Sequence, residues 1–173
     1  MNLDRIKQEL LQFEGLCLKP YFCPAGKLTI GVGRNLEEVG ITKDEALQLL
    51  SNDLQRCQRE LENELPWTRH LPQEAQEVLL HMTFNLGLRG LMGFKNALSA
   101  LEHGNYRLAA QEMLNSKWAG QVGQRAQLLA RRMELVADQP MEIKTLLQDL
   151  AAQLGRIEQS FSQQGQGRGA WKN

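Results

Sequence analysis

The sequence predicts an α+β chain that is mostly helical, with a small N-terminal β-hairpin lobe joined by a long helix to a helical lobe. Three observations carry this. Strand-like alternation occurs in one place, where Leu28, Ile30 and Val32 alternate with Thr29, Gly31 and Gly33. Helically spaced apolar residues fill the chain on both sides of it. A capping box, Thr42 with Glu45 three residues on, opens a long apolar-periodic run that ends before Pro66.

Taken in order, Leu3, Ile6, Leu10 and Phe13 recur at helical spacing, and Gly15 stands where that helix ends. Residues 20–35 form the hairpin, with Pro24-Ala25-Gly26 supplying the turn chemistry. The helix from Thr42 places Ala46, Leu47, Leu49, Leu50, Leu54 and Leu61 on its apolar side. Its length of ~20 residues spans ~30 Å, enough to join two lobes. Pro72 suits the first turn of the next helix, which carries Val78, Leu79, Met82 and Phe84 and stops near Gly87. Further helices are expected at about 93–103, 105–116 and 121–138, the last ending before Pro140. An amphipathic segment over about 140–162 predicts one more helix, and 163–173 is a polar Gln/Gly-rich tail. The Leu-rich stripes are expected to form core, because each has a charged opposite side.

Composition narrows the function. With 173 residues, 42% hydrophobic and 23% charged, the chain is of ordinary globular character and can bury a sizeable core. Net charge is zero but uneven: residues 1–85 hold nine Lys/Arg against thirteen Asp/Glu, and 86–173 hold eleven against seven. No basic stripe with interleaved aromatics occurs, so nucleic acid is not an expected partner. No apolar run approaches membrane-spanning length, so membrane insertion is not expected either. Cys17, Cys23 and Cys57 form no C-x-x-C pair, and no His stands at metal-ligand spacing. Free thiols, no metal and no cofactor are the expectation, with Cys17 and Cys57 as ordinary buried thiols. His70, His81 and His103 stand apart from one another, and Gly31-Val32-Gly33 lacks the third glycine of a dinucleotide fingerprint. Trp67 and Trp118 are expected in packing roles.

The chemistry-bearing stretch is the hairpin and what precedes it. Eight residues separate Glu14 from Cys23, and five separate Cys23 from Thr29. Glu14 closes a helix, at the negative end of its dipole, with Phe13 and Leu16 expected to screen it from water. That is a setting for a general acid. A thiol across the hairpin bend can polarise water or attack a carbon centre, and a strand threonine can hold a water by its hydroxyl. An acid, a base or nucleophile and a water-holding hydroxyl together read as a glycosidase centre, since glycoside cleavage needs a proton for the leaving oxygen and an attacking group on the other side.

Glu-x8-Cys-x5-Thr, followed by Ile30-Gly31-Val32-Gly33, resembles the signature of the phage-type lysozyme (endolysin) family, glycoside hydrolase family 24. Further matches are Glu14-Gly15-x-x-x-x-Tyr21, Ile41-Thr42-Lys43-Asp44-Glu45-Ala46, Phe84-Asn85-Leu86-Gly87, Ser116-Lys117-Trp118 and Gln124-Arg125-Ala126. The resemblance implies a lysozyme-like domain over 1–139, with a β lobe at about 15–40 and a helical lobe at about 65–139 that includes the N-terminal helix. It implies cleavage of the β-1,4 bond between N-acetylmuramic acid and N-acetylglucosamine in peptidoglycan. Glu14 would donate the proton and Thr29 would position water. Cys23 would stand at the family's Asp-or-Cys position as base, nucleophile or spectator. Phe84 and Asn85 would line the saccharide cleft, and Arg125 would be the basic partner of Glu14. Synthesis in a bacterial cytoplasm without a signal peptide, then action on the cell wall through a separate pore-forming or delivery partner, is the matching expectation. Arg34 stands where many members have His, and the Arg34–Ile41 connection is short. These departures and Cys23 also fit a degenerate lysozyme-like module that binds peptidoglycan or a protein without cutting. A transglycosylase would differ only in leaving an anhydro end.

Overall fold

The computed structural model describes residues 1–138; the expected helix over 140–162 and the tail at 163–173 lie outside them. The chain divides into two compact units, Met1–Glu64 and Leu65 onward.

In the first unit, α1 (Leu3–Glu14) is opened by Asn2, whose side chain accepts the Arg5 N–H at 3.0 Å. It is closed by Gly15, whose φ of 75° lets its N–H reach the Leu11 carbonyl. Three antiparallel strands follow, β1 (Cys17–Phe22), β2 (Leu28–Gly31) and β3 (Arg34–Asn35), in the order β1-β2-β3. The expected hairpin is therefore the inner part of a meander that starts three residues earlier. The Gly31–Gly33 alternation is a tight turn, both glycines having positive φ, rather than a continuing strand. α2 (Lys43–Glu64) starts at the capping box read from the sequence. The Glu45 N–H reaches Thr42 Oγ1 at 3.2 Å, and the Thr42 N–H and hydroxyl reach Glu45 Oε2 at 2.8 and 3.0 Å. Arg34 Nη1 adds a bond to that same oxygen at 2.6 Å.

The apolar stripes of this unit are not the expected core. α1 buries no side chain, and Leu3, Ile6, Leu10 and Phe13 are all exposed. Along α2, Leu47, Leu49 and Leu50 are exposed, and only Cys57 and Leu61 are buried. The strands of this unit are six, four and two residues long. They offer too little surface to cover two helices, so helical periodicity here marks a face and not its burial. Cys17 likewise departs from expectation. It is half-exposed, and its thiol donates to the Lys19 carbonyl at 3.2 Å.

The second unit holds the well-packed core. After a 3-10 turn at Pro66–His70 come α3 (Gln73–Met92), α4 (Lys95–Glu102), α5 (Tyr106–Leu114), α6 (Lys117–Val122) and α7 (Gln124–Asp138). Val78, Leu79 and Met82 of α3, Leu101 of α4, Met113 of α5, and Leu129 and Met133 of α7 are buried to within a few per cent. Each such side chain contributes about 1.5–3 kcal/mol. Ala109 and Ala110 on α5 are fully buried, and Ala126 and Ala130 on α7 nearly so; these small side chains let the two helices approach closely. Arg132 of α7 donates to both Glu74 and Glu77 of α3, fixing the register of those helices.

The helical stop expected near Gly87 is there: non-helical backbone at Gly87 (φ 70°, ψ 160°) parts α3 into two helical segments, the second running to Met92. One boundary differs from expectation. The expected 121–138 helix is two helices, α6 and α7, parted at Gly123 (φ 55°). Ser116 caps the first by accepting the Ala119 N–H at 3.2 Å, a start signal that composition alone hides.

Leu79→Ala is expected to cost about 2–5 kcal/mol by leaving a cavity. Leu50→Ala, at a residue 39% exposed, should stay within about 0.5 kcal/mol; urea unfolding of both variants checks the contrast. Arg34 first, then the Thr42 N–H and hydroxyl, hold the Glu45 carboxyl at about 2 against an ordinary 4.5. The depressed value stabilises the folded β3–α2 junction above pH 4.5, and that contribution is lost as pH falls through about 2. Amide exchange at Thr42 and the first turn of α2 should accelerate across this window in the native chain. Glu45→Gln should show no such step.

Candidate functional site

The candidate residues fall in both units, Glu14, Cys23 and Thr29 in the first, and Phe84, Asn85 and Arg125 in the second. The first unit brings Cys23 and Thr29 to one turn, and the second ties Asn85 to Trp118.

Cys23 stands one residue beyond β1, at the entrance to the β1–β2 turn. Its N–H reaches the Lys27 carbonyl at 3.0 Å, and the Gly26 N–H reaches the Cys23 carbonyl at 2.8 Å. These bonds close a three-residue loop, Pro24-Ala25-Gly26. Pro24 presets its first φ, and Gly26 takes the left-handed conformation (φ 73°) that such loops require at the third position. Phe22 then pairs with Leu28 and Tyr21 with Thr29. This short return brings the Cys23 thiol and the Thr29 hydroxyl together.

The Cys23 thiol is held below its usual range, by the Lys27 backbone N–H first and more weakly by the Ala25 N–H and the Thr29 hydroxyl; partial burial opposes them. Cys57 shows the reverse, where burial pushes the thiol up. Thr29 is 4% exposed, and its hydroxyl donates to the Lys27 carbonyl at 2.9 Å. One hydroxyl proton serves one acceptor at a time. When it stays on the carbonyl, the oxygen lone pairs are left to accept from water; when it turns to sulfur, the thiolate gains a donor.

Glu14 is the last residue of α1, with two residues between it and β1. It is exposed, and the expected apolar screen does not form, since Phe13 is 80% and Leu16 60% exposed.

In the second unit, Asn85 Oδ1 accepts the Trp118 indole N–H at 2.8 Å. This bond links α3, just before its break at Gly87, to α6. Trp118 is buried, as its packing role required, and its ring meets Phe94 edge-on at 5.8 Å and 86°. Phe84 is 46% exposed. Arg125, the second residue of α7, is exposed. Beside the Phe94–Trp118 pair lies a cavity of about 520 Å³ lined by Lys95, Asn96, Glu112, Asn115 and Lys117 among others. Sequence reading missed it because its walls come from the end of α3 and from α4, α5 and α6, far apart in the chain. The usable signals were Phe94 and Trp118, large aromatics beside helix starts. Among the described residues, no group of three His, Cys, Asp or Glu side chains is placed to hold a metal ion, and no helix is long and apolar enough to cross a membrane.

Iodoacetamide labelling with peptide mapping, between about pH 6 and 10, should give Cys23 an ionisation midpoint below that of the same cysteine in the unfolded chain. Thr29→Val should raise that midpoint. Equal midpoints in folded and unfolded chains would contradict the thiol environment described here.

The family model described as phage lysozyme matches residues 11–134. The chain is 26% identical to the pre-baseplate central spike protein of Enterobacteria phage T4, over 85% of this chain but 31% of that protein, so it spans about a third of that relative's length. It is 30% identical to an endolysin of Acyrthosiphon pisum secondary endosymbiont phage 1, over 62% of this chain and 73% of the endolysin. It is 27% identical to a probable T4-type lysozyme of Dictyostelium discoideum, over 72% of this chain and 90% of that protein. With the mostly helical α+β architecture and the N-terminal three-stranded sheet in place, the chain belongs to the phage lysozyme family.

Proposed function

We propose that this chain is a muramidase that cleaves the β-1,4 bond between N-acetylmuramic acid and N-acetylglucosamine in peptidoglycan. The observation that carries this reading is the Cys23–Thr29 pair at the β1–β2 turn, inside the stretch that matches the family. Glu14 follows the same logic from the end of α1, in the same compact unit. Its carboxyl proton goes to the leaving glycosidic oxygen as the bond to the anomeric carbon breaks. Positive charge then develops on the sugar ring, and a water oriented by the Thr29 oxygen attacks the anomeric carbon. The water's proton passes to the Cys23 thiolate or to solvent, and Glu14 regains a proton from solvent before the next cycle. Phe84 offers an exposed apolar face for a sugar ring, Asn85 is held by Trp118, and Arg125 offers a positive charge. All three are assigned here to substrate binding. Peptidoglycan glycan strands are the proposed partner and the bacterial cell wall the proposed place of action. The names endolysin and central spike protein among the relatives support delivery through a separate pore or on a larger assembly.

One observation favours a second reading, a module that binds without turnover. Glu14 sits exposed with no apolar screen, which a binder tolerates. Digestion of purified peptidoglycan separates the two. The wild type should release fragments with new reducing ends, and Glu14→Gln should lower the rate about 10²–10⁴-fold, the usual contribution of general acid catalysis. Binding retained without any release by the wild type would establish the module instead.

A further inference from the structure

The β2–β3 hairpin ends on a four-group junction that the proposed chemistry does not itself use. Arg34 opens β3 and pairs with Ile30, and the next residue, Asn35, pairs with Thr29. From β3 the Arg34 guanidinium reaches the Glu45 carboxylate in the first turn of α2 at 2.6 Å and the Gly40 carbonyl at 3.4 Å. Glu45 Oε2 also receives the Thr42 N–H and hydroxyl, so three donors converge on one oxygen. The connecting loop is itself pinned, with Asn35 Oδ1 accepting the Glu37 and Glu38 N–H groups at 3.0 and 3.2 Å. The Leu36 N–H reaches the Leu28 carbonyl at 2.8 Å. Lys27, just before β2, meets Glu37 and Glu38 at 3.8 and 3.3 Å. The strand that carries Thr29 is thus held on one side by β1 and on the other by a two-residue strand whose only tie to a long helix among these bonds is the Arg34 guanidinium. A two-residue strand gives little rigidity of its own. A guanidinium that bridges a carboxylate and a carbonyl supplies it, because its planar donors fix direction as well as distance.

We propose that Arg34 is a positioning residue for the Cys23–Thr29 pair: through Glu45 it anchors β3 to α2, and so keeps β2, with Thr29, in its register against β1 and the Cys23 turn. The catalytic consequence rests on the muramidase reading; the geometric one does not. A shift of β2 by a fraction of an ångström separates hydroxyl and thiol without unfolding the sheet, and misplacement of that size is costly to a reacting centre.

The test uses Arg34→Ala, Arg34→Lys, Glu45→Ala and the double Arg34→Ala/Glu45→Ala variant, each checked for native circular dichroism. The first readout is the ionisation midpoint of Cys23 by pH-dependent alkylation with peptide mapping, which needs no enzyme activity. The second is kcat and KM on soluble uncrosslinked peptidoglycan strands. Arg34→Ala and Glu45→Ala should each raise the Cys23 midpoint in the direction of Thr29→Val. They should lower kcat about tenfold or more with KM little changed. The double variant should be no worse than either single, because the two residues act as one tie. Arg34→Lys should recover part of the loss, keeping the charge on Glu45 but not the second bond to the Gly40 carbonyl. Folded variants with an unchanged Cys23 midpoint would overturn the proposal. An inactive wild type would overturn the muramidase reading instead, and the thiol midpoint would still decide the role of Arg34.

Discussion

The closure of the Pro24-Ala25-Gly26 loop is the constraint on which the first unit depends. Two backbone hydrogen bonds, Cys23 to Lys27 and Gly26 to Cys23, set the register of β1 against β2. That register puts Thr29 opposite Tyr21 and brings the Lys27 backbone close enough to lower the Cys23 thiol. Were the loop one residue longer, every side chain of β2 would change face, and Thr29 would leave the thiol. Pro24 and Gly26 are the residue types that make the short closure cheap in conformational terms, one by fixing φ and the other by tolerating a positive one. The small sheet is therefore less a packing element than a geometric frame for two side chains.

The two units use different physics. The second is held by burial, with Leu79, Met82, Met113 and Met133 almost wholly removed from water and a part-buried Arg132 spanning two carboxylates. The first buries little beyond Thr29, Cys57 and Leu61, and relies on hydrogen bonds, caps and ion pairs. Such interactions are individually modest and directional. They suit a site in which a few side chains must be aimed, and they make that site more sensitive to single polar substitutions than to the loss of an apolar contact.

Much of this was legible from sequence where the determinant was local. The Thr42–Glu45 capping box, the turn at Pro24-Ala25-Gly26 and the helix stop at Gly15 each lie within four residues of what they control. The Glu14, Cys23 and Thr29 spacing was legible for the same reason. What escaped was non-local. Helical periodicity in α1 and α2 predicted a face but not whether anything covers it. The α6–α7 break at Gly123 was lost because both helices share one apolar pattern across it. The Asn85–Trp118 bond joins residues 33 apart and the cavity beside it draws on four helices, so neither leaves a pattern in any short window. In the sequence Arg34 stands out only as a departure from the family motif, because its partner Glu45 lies eleven residues on and serves the capping box with the same oxygen.

The proposed muramidase chemistry requires that water, and not a sugar hydroxyl, reach the anomeric carbon. Digestion of peptidoglycan in water enriched in oxygen-18, with mass analysis of the released fragments, tests it most directly. Hydrolysis should leave one heavy oxygen in each newly formed muramic acid reducing end. Anhydro ends carrying no label would contradict it.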